Sequence, residues 1–182
     1  MAAPATPPEV STMALRNILQ EGDPTLSKSA REVTAFDDRL HTLLDDMWDT
    51  LFDANGIGLA APQVGILRRV ALVLELNGDT ETENLEELTH ELINPVIIEQ
   101  DGEQEGYEGC LSVPGMMGLV TRPQRVKVRA QNRTGEWFEI EGEGLTARVI
   151  CHELDHLDGN LYTRLAPELI SVDDLPDEEE SE

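Results

Sequence analysis

From residue 37 onward, apolar and acidic positions alternate with a helical period. Leu40, Leu43, Leu44, Met47, Trp48, Leu51 and Phe52 recur three and four apart, while Asp37, Asp38, Asp45, Asp46 and Asp49 take the other side. The spacing predicts an amphipathic helix, with Asp37 and Asp38 at the end where the helix dipole favours negative charge and with Asn55 and Gly56 closing it. Before it, residues 13–33 hold the turn cluster Gly22-Asp23-Pro24 and predict little regular structure. After it the period shortens to two. Residues 69–76 read as a strand, and 91–100 as another interrupted at Asn94-Pro95. Residues 124–131 set Val126, Val128 and Ala130 on one face, 132–135 supply a turn and 136–140 return, a hairpin wet on one side. Residues 145–157 go back to helical spacing. Leu145, Val149, His152 and His156 share one stripe and Ile150, Leu154 and Leu157 a second, so this helix is expected to be buried on more than one side, with Gly159 at its C-terminus.

Composition narrows the class. The chain has 182 residues, 40% of them hydrophobic and 27% charged, which suits a single soluble domain able to bury its own core. With 37 Asp+Glu against 13 Lys+Arg, the net charge is −24. That excess argues against nucleic acid as a partner, because phosphate backbones are bound mainly by Lys and Arg. Acidic residues fill seven of the ten positions 173–182 and six of the thirteen positions 79–91, and both runs are expected to be solvated tail and loop. No apolar run approaches the ~20 residues of a membrane span. Cys110 and Cys151 are too few for a disulfide framework and fit a reducing compartment as free thiols. The proline-bearing start of the chain lacks a signal-peptide pattern and reads as a flexible leader.

Candidate chemistry concentrates in three places. In Cys151-His-Glu-Leu-Asp-His156, residues four apart on a helix lie about 40° apart around the axis and about 6 Å along it. His152 and His156 can therefore reach one ion, with Glu153 beside whatever that ion binds. Two histidines on an exposed helix face would be the plain alternative, but the two apolar stripes place them inside, where a histidine needs a partner. A third ligand is required for a catalytic site with one open position, and the candidates are Cys110, Asp155, Asp158, His41, His90 and several glutamates. Cys110 sits in Glu108-Gly-Cys-Leu-Ser-Val-Pro-Gly115, a small-residue loop, and its thiolate would suit zinc or ferrous iron. Cys151 reads as a buried structural thiol. Gly56-Ile-Gly-Leu-Ala-Ala-Pro-Gln63 describes backbone that passes close to something, and it lacks the third glycine or the lysine of a nucleotide-binding loop.

Taken in order, Gly56–Gln63, Glu108–Ser112 and His152–His156 resemble the three motifs of the peptide deformylase family. The resemblance implies an α+β fold in which antiparallel β-sheets pack around a central C-terminal helix carrying the His-Glu-x-x-His motif, with an N-terminal helix. It implies a leader over 1–11, one catalytic domain over 12–165 and an acidic tail over 166–182. It also implies a metal-dependent hydrolase that removes the formyl group from the initiator methionine of nascent polypeptides and releases formate. By this resemblance Cys110, His152 and His156 hold one divalent ion, Fe2+ first, with Zn2+, Ni2+ or Co2+ as substitutes. Glu153 moves the proton, while the Gln63 side chain and the Leu111 N–H receive the oxyanion. Ile57 and Gly58 align the peptide, and Leu145 and Val149 line the methionine pocket. Glu108 and Gly109 flank the substrate, Glu108 fixing either a ligand or Arg148. Arg148 reaches either the substrate's carbonyls or Glu108. The expected protein is a cytoplasmic monomer. Its ribosome contact would be transient at most, because the acidic tail does not supply a basic docking helix. A zinc endopeptidase of the His-Glu-x-x-His type and an inactive metal-binding homologue are the rival readings. The first would need a ligand from the short segment after the helix, which has no histidine, and the second predicts damage to the motifs, which are intact.

Overall fold

The computed structural model describes residues 14–76 and 88–176. The expected leader over 1–11, most of the acidic run over 79–91 and the last six residues of the tail lie outside them. The first helix, α1 (Asp38–Asp53), forms where the apolar period predicts it. The Asp37 carboxylate caps it by accepting from the Leu40 N–H at 3.2 Å, and Asn55 at φ 52° ends it. Phe52 departs from the expected buried stripe: it is 46% exposed and stacks on Trp48.

Eight strands follow in two antiparallel sheets. One sheet runs in the order β1 (Gly58–Ala60), β2 (Val70–Leu74), β3 (Thr89–Asp101), β6 (Arg125–Gln131), β7 (Trp137–Glu143). The other runs β4 (Gln104–Cys110), β5 (Val113–Arg122), β8 (Leu169–Ser171). The expected break at Asn94-Pro95 is a bulge within one long strand: pairing shifts between Ile93 and Val96, and Asn94 adopts φ 52°. Its buried side chain joins three segments, accepting from Val33 N–H (2.8 Å) and donating to Val33 O (2.9 Å) and Gln131 Oε1 (2.8 Å).

The second helix, α2 (Gly144–Leu157), packs against the larger sheet from the face opposite α1. This explains why the β2 sequence is apolar throughout. Val70 and Leu72 meet α1, while Ala71 and Val73 meet Val149, Ile150 and Leu154 of α2 or their neighbours, as the alternation of a strand requires. Gly159, at φ 77°, ends α2 where a Cβ would stand 2.7 Å from the Ser27 backbone, so only glycine fits. The smaller sheet lies over the other side of α2, with Val113, Val120 and Tyr162 in a core of their own. Its outer strand β8 comes from the segment read as tail, so ordered structure runs beyond residue 165. Among the described residues, no helix is long and apolar enough to cross a membrane.

Candidate metal centre

Three elements converge on one point. The β4–β5 hairpin turns at Leu111-Ser112, with Cys110 paired to Val113, which sets the Cys110 thiol at its tip. Helix α2 supplies His152, Glu153 and His156 from one face. The edge strand β1 runs into a short 3-10 turn (Ala61–Val64) that carries Gln63. The ligand atoms of Cys110, His152 and His156 all lie within 4.8 Å of one another. Of the other candidates for a third ligand, Asp155 pairs with Arg122, Asp158 with Arg69 and His90 with Glu75, while the ring of His41 meets Arg133 O.

Around this trio the polar groups are fixed. Glu108, 4% exposed, receives Arg122 through Nε (2.7 Å) and Nη2 (2.9 Å), Arg148 through Nη1 (2.9 Å) and His152 through Nδ1 (2.9 Å). Burial alone would raise its pKa, but the hydrogen bonds and charges of Arg122 and His152 hold it down at about 2. An ionised Glu108 orients the His152 ring so that its other nitrogen faces Cys110. Burial opposes a charged His152, yet its bonds to Cys110 and Glu108 and the charge of Glu153 push it up to about 10. Burial and the neighbouring His152 push His156 the other way, well below its ordinary value.

Glu153 is buried, and burial pushes its carboxyl up to about 7. Its Oε2 is one of two buried side-chain polar atoms that lack a partner among the described residues; the other is His156 Nδ1. A soft thiolate, two imidazoles and an unpartnered carboxylate oxygen beside them form a donor set that fits a catalytic transition metal. Gln63 is anchored by the Ala60 N–H, which donates to its Oε1 at 2.9 Å, and this aims Nε2 at Ser112 Oγ (3.2 Å) and Cys110 Sγ (3.5 Å). The Leu111 N–H makes no hydrogen bond within the described residues.

A cavity of about 440 Å³ opens over these groups, and every predicted site residue except the deeper His156 lines it. Ile57 (39% exposed) and Leu145 (48%) stand at its rim, with Val149 (5%) inside. Arg148 contacts Glu108, one of its two expected partners, and its Nη1 also donates to Val120 O (2.9 Å) and Gly106 O (3.2 Å). Gly106 leaves the room: a Cβ there would sit 3.1 Å from Arg148 Nη2.

Sequence reasoning did not assign roles to Arg122 or Ser112. Arg122 ties Glu108 to Asp155 on α2 (Nη1 to Oδ2, 2.6 Å), and nothing in its local pattern distinguishes it from any arginine ending a strand. Ser112, fully buried, accepts from Gln63 and donates its N–H to Cys110 Sγ at 3.4 Å. Its place within the second motif was the available signal.

The fold and this site define a metallohydrolase, with a candidate metal-binding group made of a hairpin cysteine and two histidines of a His-Glu-x-x-His helix. The sequence profile described as Polypeptide deformylase matches residues 15–169, and the chain belongs to that family. It is 55% identical over 150 residues to the peptide deformylase of Agathobacter rectalis, covering 82% of this chain and 89% of the relative. It is 46% identical over 167 residues to peptide deformylase 1 of Bacillus subtilis, covering 92% and 99%. The crystal structure of a Legionella pneumophila peptide deformylase superposes with a TM-score of 0.76 at 42% identity, over 85% of this chain and 88% of that one. A Met-Ala-Ser-bound class I type b peptide deformylase from Acinetobacter baumannii gives 0.77 at 34% identity, over 85% and 99%.

Proposed function

We infer that the cavity hydrolyses the formyl amide of N-formylmethionyl peptides, releasing formate. The observation that carries the residue assignment is the convergence of Cys110, His152 and His156 within 4.8 Å beside a buried, unpartnered Glu153 oxygen. Cys110, His152 and His156 would hold one divalent ion, ferrous iron first, with zinc, nickel or cobalt as substitutes. Such an ion supplies Lewis acidity and makes water acidic enough to ionise near neutral pH.

The chain's own residues do the rest. Glu153, with a pKa of about 7, takes a proton from the attacking water and returns it to the departing amine. The Gln63 amide, held by Ala60, and the free Leu111 N–H are the donors for the oxygen that becomes negative as the formyl carbon turns tetrahedral. Strand β1 is an edge of its sheet, so the backbone at Ile57 and Gly58 can take the peptide as an added strand, with Gly109 opposite. Val149 and Leu145 receive the methionine side chain. Glu108 orients His152, and Arg148 braces Glu108. The protein acts in the cytoplasm as a monomer on nascent chains, with at most transient contact with the ribosome.

Anaerobic assay of the Fe2+-loaded protein with formyl-Met-Ala-Ser tests the reading, with release of formate and free Met-Ala-Ser as the expected outcome. Cleavage of an internal peptide bond without formate would instead mark a zinc-type endopeptidase.

A further inference from the structure

The smaller sheet has two unlike faces. Glu108 and Arg122 point inward to α2, so by strand alternation Tyr107 and Leu119, paired in register, point outward, as does Ile170 beside Met117. Among the described residues, no helix or strand covers that outer face, and Tyr107 stays 39% exposed. With Leu165 it forms a groove of about 500 Å³ edged by Glu105 and Glu168. The groove adjoins the reaction cavity at Tyr107, which lines both. Of the ten large apolar side chains exposed among the described residues, five lie along this one path: Ile57, Leu145, Val172, Tyr107 and Leu165. A chain of net charge −24 thus concentrates its apolar surface around and beside its site.

Charge distinguishes the occupant. Glu105, Glu168, Asp173 and Asp174 are exposed, and none pairs with a cation among the described residues. Among the described residues, no Lys or Arg lines the groove. An acidic partner, including a second copy of this chain, would meet like charge.

We propose that the groove is an extension of the substrate site that holds the residues following the third of a formylated chain, selecting apolar side chains interspersed with Lys or Arg. This rests on the deformylase reading and deepens it. Peptide leaving the reaction cavity past Tyr107 lays apolar side chains on Leu119, Ile170 and Leu165 while its cations face Glu105 and Glu168. Interactions remote from the reacting bond then raise kcat/KM.

The test compares kcat/KM of the Fe2+-loaded protein on formyl-Met-Ala-Ser, formyl-Met-Ala-Ser-Leu-Lys-Leu-Lys and formyl-Met-Ala-Ser-Leu-Glu-Leu-Glu. The lysine heptapeptide is expected to exceed the tripeptide by roughly tenfold, and the glutamate heptapeptide to show no gain. The gain should shrink as NaCl rises from about 50 to about 300 mM. Leu165→Ser and Glu168→Lys, both exposed positions away from the reaction cavity, should each reduce the gain and leave tripeptide hydrolysis within about twofold. Equal kcat/KM on all three peptides in the unaltered protein, or a gain that survives both substitutions, overturns the proposal. So does a Leu165-dependent dimer in sedimentation, which would give the face to a second copy. Failure to hydrolyse the tripeptide at all would instead sink the deformylase reading.

Discussion

A Cβ on Gly58 would stand 2.5 Å from Glu153 Oε1 and 2.8 Å from its Cγ. The edge strand and the buried Glu153 carboxylate therefore occupy adjoining space that only glycine leaves open. Gly58→Ala must displace either the carboxylate or the edge strand proposed to take the peptide. The expected result is a loss of roughly 10²-fold in kcat/KM, the scale of an ångström-level misplacement. Bound metal should stay at one equivalent by elemental analysis, because no ligand is touched. A variant with unaltered kcat/KM would show that Glu153 tolerates movement.

Glu108 accepts from two arginines and from the histidine of α2 that faces Cys110. Replacing it by Gln removes the charge that orients His152 and leaves Arg122 and Arg148 buried without their shared counter-charge. Metal affinity is expected to fall about 10–100-fold, read by chelator competition with Zn2+. Unfolding free energy should fall by roughly 3–5 kcal/mol, the usual cost of leaving buried charges unpaired. Affinity within twofold of the unaltered protein would mean that the His152 ring is held by packing alone.

The two thiols should separate by reactivity. Cys151 is buried, and burial pushes its pKa up to about 11; Cys110 is half-buried at the cavity wall. In metal-stripped protein at neutral pH, iodoacetamide is expected to label Cys110 and not Cys151. Stoichiometric Zn2+ should slow Cys110 labelling by at least roughly tenfold, since a coordinated thiolate is no longer a free nucleophile. Peptide mass mapping reads both, and unchanged labelling with Zn2+ would remove Cys110 from the ligand set.

Elements with a strong period were legible in the sequence. The seven apolar positions of α1 and the double stripe of α2 give the helices, and Val126, Val128 and Ala130 give the buried face of β6, as found. His152, Glu153 and His156 were legible as a candidate site from their spacing, and Cys110 as one of several candidates for a third ligand, whose thiol the fold brings within 4.8 Å of both imidazoles. What was not legible depends on long-range pairing. Arg122 acts through a carboxylate 14 residues away in sequence, and no local pattern encodes which carboxylate a buried arginine will find; the Arg148–Glu108 pair was one of two expected alternatives. Strand β8 is three residues long inside a stretch of acid and proline, so its only stabilising signal is the partner strand β5. The bulge at Asn94 was visible as an interruption, but a Pro next to a polar residue does not say whether a strand ends there or merely kinks.

Asn94 gives that distinction an energetic test. It is 6% exposed, sits at φ 52°, and its amide closes three hydrogen bonds that tie the segment at Val33 and strand β6 to the bulge. Asn94→Ala leaves the Val33 N–H and C=O unsatisfied, each costing about 1–3 kcal/mol when buried. It also places a Cβ residue without a compensating side-chain bond in the left-handed region, a further ~1–2 kcal/mol. Asn94→Gly removes the second cost but not the first, so the two variants separate backbone strain from lost hydrogen bonds. For a chain of this size, a loss of about 3 kcal/mol lowers Tm by roughly 6–12 °C, and the glycine variant should melt a few degrees above the alanine one. Asn94 does not line the reaction cavity, so both variants should keep kcat/KM on formyl-Met-Ala-Ser within about twofold at temperatures where they are folded. Equal Tm for the two variants would assign the whole loss to the hydrogen bonds, whereas a glycine variant as stable as the parent would assign it to the backbone.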